Sequence, residues 1–186
     1  MTVSATRLLV TSRSRLVQLS LALAGSLLLW LSAKVQVPFY PVPMTMQTFA
    51  LLLLAASTGR IGVAAVALYL LEGAFGLPVF AGTPEKGLGL AYMTGPTGGY
   101  LLGFLLAAAF VAWMAEKGWM QGFVSRLVVM GIGAALIYLP GLAWLSAFIG
   151  FDKAVAFGLM PFIYGDLLKV LLAAVALQAA WRLKKA

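Results

Sequence analysis

The sequence contains no cysteine and no histidine, and only 10% of its 186 residues are charged. The missing cysteines exclude disulfides and thiol catalysis, and both absences together exclude every Cys/His metal site. The five acidic residues form no cluster of the kind that holds Mg²⁺, and no nucleophile stands beside a base. We therefore predict no catalytic residue, no metal and no cofactor, and an enzyme acting on lipid is the least supported alternative.

Apolar residues are abundant instead, at 63% of the chain. Soluble domains carry about 45–50% apolar residues and about 25% charged ones, so a water-soluble globule is nearly excluded. A membrane-spanning helix needs roughly 20 mostly apolar residues. Six apolar runs can be drawn, at Leu16–Ala33, Thr45–Ser57, Ile61–Leu77, Gly98–Ala115, Phe123–Phe148 and Pro161–Trp181. The sequence thus predicts an all-α, multi-pass membrane protein with six transmembrane helices, in one integral membrane domain over residues 1–186.

The fifth run contains Pro140 followed by Gly141. Proline lacks the N–H of the helical hydrogen bond and its ring collides with the preceding turn. We therefore expect the fifth helix to bend or end at this point.

Basic residues lie at the ends of the apolar runs, a pattern typical of membrane topology rather than of nucleic-acid binding. With the N-terminus inside, the cytoplasmic Lys and Arg are Arg7, Arg13, Arg15, Arg60, Lys117, Arg126, Arg182, Lys184 and Lys185. The predicted external loops hold Lys34, Lys86 and Lys153. We predict that both termini are cytoplasmic, with a short N-terminal segment of about residues 1–15. The first run exceeds a signal-peptide core in length and is predicted to be retained.

The predicted external loops are longer than the cytoplasmic ones. The first, "KVQVPFYPVPMT", carries three prolines, the second is long and rich in glycine, and the third, "IGFDKAVAFGLM", is weakly amphipathic. Long loops without structure of their own tend to be functional. Function is therefore expected on the outer face.

Asp166 and Lys169 stand near the start of the sixth run, at a spacing that puts them on one helix face. Each charge inside a membrane costs on the order of 2.5–3.5 kcal/mol, so two on one face need a purpose. One interpretation is that they pair with each other, or that Lys169 reaches outward to the headgroups. The other is that they line a polar pocket open to the outside.

Further candidates lie at a similar depth. Glu72, near the outer end of the third run, either joins the charges of the sixth helix or lies at the interface beside water. Thr97 and Tyr100, at the outer end of the fourth run, offer hydroxyl groups to a ligand. The segment that contains both residues, "TGPTGGYLLGF", spaces glycines four apart. This spacing favours close helix packing rather than a phosphate loop.

Small residues recur four apart in the first run, as Ser20/Ala24 and Ala22/Ser26. Such a face suits another helix, either within this chain or from a partner chain. From the residues alone, a small binding or transport protein with an outward pocket is the best supported class.

Three segments in this order, "VPFYPVPMTMQTFALLL", "GAFGLPVFAG…GPTGGYLLGF" and "PFIYGDLLK", resemble the BioY family, the biotin-specific substrate-binding (S) component of energy-coupling factor (ECF) transporters. The resemblance implies an S-component bundle that captures and takes up biotin across the cytoplasmic (inner) membrane. Its partners would be a transmembrane coupling (T) subunit and cytoplasmic ATPase subunits. The runner-up is a small self-sufficient biotin transporter, as an oligomer.

The resemblance also assigns roles to residues. It places Asp166 and Lys169 in contact with the vitamin, Tyr100 in the pocket wall and Gln47 near the pocket entrance. The small-residue face of the first helix, Ser20, Ala22, Ala24 and Ser26, would contact the T subunit.

Overall fold

The computed structural model describes residues 14–183, so the predictions for Arg7, Arg13, Lys184 and Lys185 lie outside the described residues. Each of the six apolar runs forms a helix. The long helices are α1 (Arg15–Lys34), α2 (Gln47–Thr58), α3 (Arg60–Ala74), α5 (Gly98–Glu116), α6 (Phe123–Ile149) and α8 (Ile163–Leu183). Short elements between them are β1 (Gln36–Val37), β2 (Met44–Thr45), α4 (Gly89–Met93), α7 (Phe151–Gly158) and the 3₁₀ turn Met160–Phe162.

Four segments of the described chain are long and apolar enough to cross a membrane. They are α1, α5, α6 and the stretch Phe151–Arg182, which includes α7 and all of α8 except its last residue. Helices α2 and α3 have 12 and 15 residues, which corresponds to about 18 and 22 Å at 1.5 Å per residue. A hydrocarbon core is about 30 Å thick, so the predicted spanning role of these two helices stays a prediction.

Helix α2 lies at the centre of the bundle, in contact with α1, α3, α5 and α8. Its Ala50, Leu51, Leu52 and Ala55 are almost completely buried. Gly59, with φ +60°, ends α2 and begins α3, a left-handed conformation that glycine adopts without strain. The outer helices turn large apolar side chains such as Leu167 and Leu168 outward, as a lipid-facing surface requires.

The first predicted external loop is a short β-hairpin, which the sequence analysis did not predict. Gln36 pairs with Thr45 and Val37 with Met44, in antiparallel register, and the residues between them form the proline-rich tip. We call this end of the bundle the hairpin end. It comprises the hairpin, the loop 75–97, α7 and the 3₁₀ turn. The third predicted loop also differs from the expectation, because most of it is helix α7.

The glycines of α5 pack against α6, as their spacing predicts. A Cβ on Gly103 would lie 2.5 Å from the carbonyl oxygen of Ile137, and the carbonyl of Gly95 accepts a hydrogen bond from the Trp144 indole at 3.0 Å. Helix α6 continues through Pro140 to Ile149. Pro140 therefore does not end the helix, and its carbonyl packs against Gly99 of α5, where a Cβ would overlap it.

Candidate functional site

A pocket opens at the hairpin end, between the first turns of α2, α5 and α8. Its polar lining comprises Thr45, Gln47, Thr48, Tyr69, Tyr92, Thr97, Tyr100, Tyr138 and Asp166. Its apolar lining comprises Val42, Pro43, Ala81, Leu101, Phe104, Ile137 and Phe162. The walls thus combine aromatic and aliphatic surface with convergent polar groups, as a small-molecule site requires.

Asp166 is the one charged residue in this lining. Both of its carboxylate oxygens already accept a hydrogen bond, Oδ1 from the Lys169 ammonium at 2.9 Å and Oδ2 from the Tyr138 hydroxyl at 2.5 Å. The side chains of Asp166 and Lys169 are only 11% and 7% exposed, so each charge depends on the other for compensation. Lys169 lies behind Asp166 and outside the lining. Asp166 and Lys169 therefore pair with each other, as one interpretation of the sequence proposed, and Asp166 also lines a pocket, as the other proposed.

The side chain of Tyr100 links α5 to α7. Its ring lines the pocket and its hydroxyl donates to the carbonyl of Gly158 at 2.9 Å. The ring of Tyr138 meets it edge to face, with centroids 6.1 Å apart. Gly141 makes this contact possible, because a Cβ there would lie 2.7 Å from the Tyr100 ring.

Gln47 belongs to a hydrogen-bonded chain on the opposite wall. Its side-chain amide donates to the Tyr69 hydroxyl at 2.7 Å, and Tyr69 donates to the carbonyl of Val79 at 3.3 Å. The hydroxyl of Thr45 donates to the side-chain amide oxygen of Gln47, Oε1, at 3.3 Å. Gln47 is buried at the start of α2, so it lies in the wall and holds Tyr69 in place.

Tyr92 stands in the short helix α4 and closes the pocket from the loop side. Burial raises the pKa of its hydroxyl above the ordinary value, so the group stays a protonated donor at neutral pH. It donates to the carbonyl of Ala81 at 2.8 Å.

Glu72 corrects one expectation, because it does not join Asp166 and Lys169. It is absent from the pocket lining and accepts a hydrogen bond from the Ser26 hydroxyl of α1 at 2.9 Å. Glu72 projects from the face of α3 that packs on α1. We assign it to helix packing.

We expect Glu72→Gln to leave ligand binding at the pocket within about two-fold of the wild type, because an amide still accepts from Ser26. Titration of the purified variant with the ligand proposed below measures this. A ten-fold loss of affinity would return Glu72 to the site.

The small-residue pairs of α1 divide between the two interpretations. Ala22 and Ser26 are buried within the bundle, beside the contact of Gly25 with Ala65 of α3. Ser20 and Ala24 are exposed on the outer surface. Ala22 and Ser26 are therefore packing residues of this chain, and the available face is Ser20/Ala24.

Several lining residues were not predicted from sequence. The most consequential is Tyr138, which touches both Asp166 and Tyr100; Tyr69, Tyr92 and Phe162 are others. Their one shared sequence signal is an aromatic residue inside or beside an apolar run, which is equally typical of packing. Within residues 14–183 no group of three or more acidic side chains could hold a metal ion.

Comparison with known proteins agrees with this architecture. The family model described as "BioY family" matches residues 4–186. The biotin transporter BioY of Thermotoga maritima is 41% identical over 160 residues, covering 85% of this chain and 90% of that protein. A probable biotin transporter BioY of Pyrococcus horikoshii is 39% identical over 153 residues, covering 82% and 86%.

A solved structure has the same fold. The crystal structure of the S-component for biotin from an ECF-type ABC transporter superposes with a TM-score of 0.80 over 95% of each chain, at 23% sequence identity. The family match extends over almost the whole sequence, and the relatives are similar along most of their own length. This chain is a membrane protein that belongs to the BioY family.

Proposed function

We propose that this chain captures biotin and takes it up across the cytoplasmic membrane, as the substrate-binding subunit of an ECF-type transporter. The single observation that carries the proposal is the carboxylate of Asp166, which is buried, held by Tyr138 and Lys169, and turned into a pocket with aromatic walls. The names of the curated relatives support the choice of vitamin.

Biotin supplies groups that match this lining. Its ureido ring has two N–H donors and one carbonyl acceptor, and its thioether ring and aliphatic tail are apolar. A carboxylate oxygen has two lone pairs, so Asp166 accepts a ureido N–H beside the bonds it already makes. Lys169 compensates the charge of Asp166 from behind the lining, and its proposed contact with the ureido oxygen or the valerate carboxylate requires its ammonium to move into the pocket. Tyr100, Thr97 and Gln47 complete the polar contacts, and Phe104 and Phe162 contact the apolar rings.

Entry requires movement at the hairpin end. The cavity has a volume of about 60 Å³, well below the roughly 300–1,000 Å³ of sites that hold small-molecule ligands. Phe39, at the hairpin tip, packs edge to face on Phe162 with centroids 6.1 Å apart. We assign the hairpin residues 37–43 as the lid that opens for biotin and closes over it.

The remaining topology follows from the charges. We place both termini in the cytoplasm and the hairpin end outside, with all six long helices crossing the membrane in one domain of residues 1–186. The chain would work with a coupling T subunit and cytoplasmic ATPase subunits, which supply the energy. The exposed Ser20/Ala24 face of α1 is the proposed contact for the T subunit.

Calorimetric titration of the purified, detergent-solubilised chain tests this function. We expect saturable binding of biotin at one site per chain. Lipoate is the matched control, since it has the same pentanoate tail and a sulfur-containing ring but no ureido group. We expect lipoate to bind at least about 100-fold more weakly, because it has no ureido N–H groups to donate to Asp166. Absence of biotin binding by a folded chain, or equal binding of both ligands, would contradict the proposal.

A further inference from the structure

A loop segment forms part of the pocket wall from inside the bundle. Residues Val79, Phe80 and Ala81, called here the wall segment, are 3%, 1% and 5% exposed although they belong to the loop after α3. Ala81 lines the pocket. Loops usually run over the surface because buried backbone groups need hydrogen-bond partners. The wall segment therefore needs hydrogen-bond donors: the backbone N–H of Thr83 in the same turn supplies one to the Phe80 carbonyl at 3.3 Å, and side chains supply the others.

Each of its three carbonyl groups has such a donor. The Tyr69 hydroxyl donates to Val79 at 3.3 Å and the Tyr92 hydroxyl donates to Ala81 at 2.8 Å. Both tyrosines line the pocket. The carbonyl of Phe80 between them accepts from the Lys34 ammonium at 3.1 Å, and Lys34 lies outside the pocket, at the end of α1.

The Lys34 ammonium makes several hydrogen bonds to this loop. Besides Phe80, its ammonium donates to the Thr83 carbonyl at 3.1 Å and to the Thr83 hydroxyl at 3.2 Å. The Thr83 hydroxyl in turn donates to the carbonyl of Phe80 at 2.7 Å. Three N–H donors thus meet three acceptors of one turn. Lys34 is in neither of the ion pairs found among residues 14–183, so these oxygens are its partners there.

The side chain of Phe80 connects the turn held by Lys34 to two residues that line the pocket. Its ring stacks on Tyr92 with centroids 4.9 Å apart and meets Tyr69 edge to face at 5.4 Å. Gly73 of α3 leaves the space for it, because a Cβ there would overlap the Phe80 ring. A shift of the Phe80 backbone would therefore move both tyrosines that face the ligand.

We infer that Lys34 is a positioning residue of the binding pocket, which fixes the wall segment through the carbonyl of Phe80 and so retains bound biotin. The inference rests on the proposed function above. Charge-assisted hydrogen bonds are stronger than neutral ones, and the turn they hold is preformed before the ligand arrives. Preorganisation of this kind acts on dissociation more than on association.

Dissociation of tritiated biotin into an excess of unlabelled biotin, combined with equilibrium titration, separates the two rates. We expect Lys34→Met to raise the dissociation rate about ten-fold with the association rate within about two-fold of the wild type. Lys34→Arg keeps N–H donors at this position, and we expect it to restore most of the retention. Lys86→Met is the matched control, since it removes a positive charge from the loop that Lys34 contacts without removing a donor to the Phe80 carbonyl.

Thr83→Val provides a second, independent variant. It removes the hydroxyl that bridges Lys34 and Phe80, and the double variant should cost less than the sum of the single ones because both act on one turn. Equal dissociation rates for wild type, Lys34→Met and Thr83→Val would overturn the inference. So would an effect confined to association and shared by Lys86→Met, since that is electrostatic steering. A wild type that does not bind biotin refutes the proposed function instead.

Discussion

Asp166→Asn is expected to lower the affinity for biotin by about 30- to 4,000-fold, the largest loss of binding that we predict for any single change. The amide keeps the shape of the side chain but removes the negative charge that a ureido group would contact. It also leaves the Lys169 ammonium, 2.9 Å away and almost completely buried, without a counter-charge. Removing one partner of a buried charge pair costs about 2–5 kcal/mol in binding, and 1.4 kcal/mol corresponds to ten-fold. Calorimetric titration of the purified variant with biotin measures the loss.

A merely structural pair would behave differently, and the double variant distinguishes the two cases. Asp166→Asn and Lys169→Met each leave one buried charge unpaired, which lowers the free energy of unfolding by about 3–5 kcal/mol. The combination Asp166→Asn/Lys169→Met leaves no charge, so its thermal unfolding should recover toward the wild type. We expect biotin binding to stay lost in it. Recovery of binding together with stability, or intact binding in both single variants, would show that the pair serves folding alone.

The sequence was informative about this pair because the relation between its members is local. A spacing of three residues on one helix predicts a shared face, and the structure confirms it with a direct hydrogen bond. The third member, Tyr138, is 28 residues away on another helix. Its approach to Asp166 depends on how α6 packs against α8, which no local pattern specifies. The interpretation that Glu72 joins this pair failed for the same reason, since the direction of its side chain around α3 depends on how the helices pack.

The helices were predictable to within a few residues because apolar runs end where charges, prolines and glycines begin. The predicted run Phe123–Phe148 corresponds to α6 at Phe123–Ile149. The hairpin and α4 were not predicted, since their strands and helix have two and five residues and carry too little periodicity to detect. The continuation of α6 through Pro140 also required tertiary information, because surrounding helices stabilise it.

Gly103→Val is expected to destabilise the packing of α5 against α6, the largest effect that we predict for a change in helix packing. A Cβ on Gly103 would lie 2.5 Å from the carbonyl oxygen of Ile137 and 2.8 Å from its Cα. These are backbone atoms, so no side-chain rotation relieves the overlap and the helices must separate. Such overpacking costs about 3 kcal/mol or more, which lowers the melting temperature by roughly 6–12 °C in a protein of this size. Tryptophan fluorescence during heating in detergent measures the shift.

Gly131→Val is the matched control for that substitution. Gly131 lies inside α6, and among the described residues no atom beyond its own helix is near enough for a new Cβ to touch. Both changes carry the same helix propensity cost, so their difference isolates interhelical packing. Equal melting temperatures for the two variants would refute the argument.

The same contact sets the width of the pocket. Gly103 lies between Tyr100 and Phe104 on α5, and Ile137 precedes Tyr138 on α6; apart from the glycine, all of them line the pocket. The smaller change Gly103→Ala pushes these two walls apart without unfolding the protein, and it moves Tyr138 away from Tyr100 and alters its approach to Asp166. We therefore expect Gly103→Ala to weaken biotin binding about ten-fold, while Gly131→Ala leaves it unchanged. Unaltered affinity in Gly103→Ala, measured by the same titration, would mean that the pocket tolerates a shift of these helices and that their spacing serves stability alone.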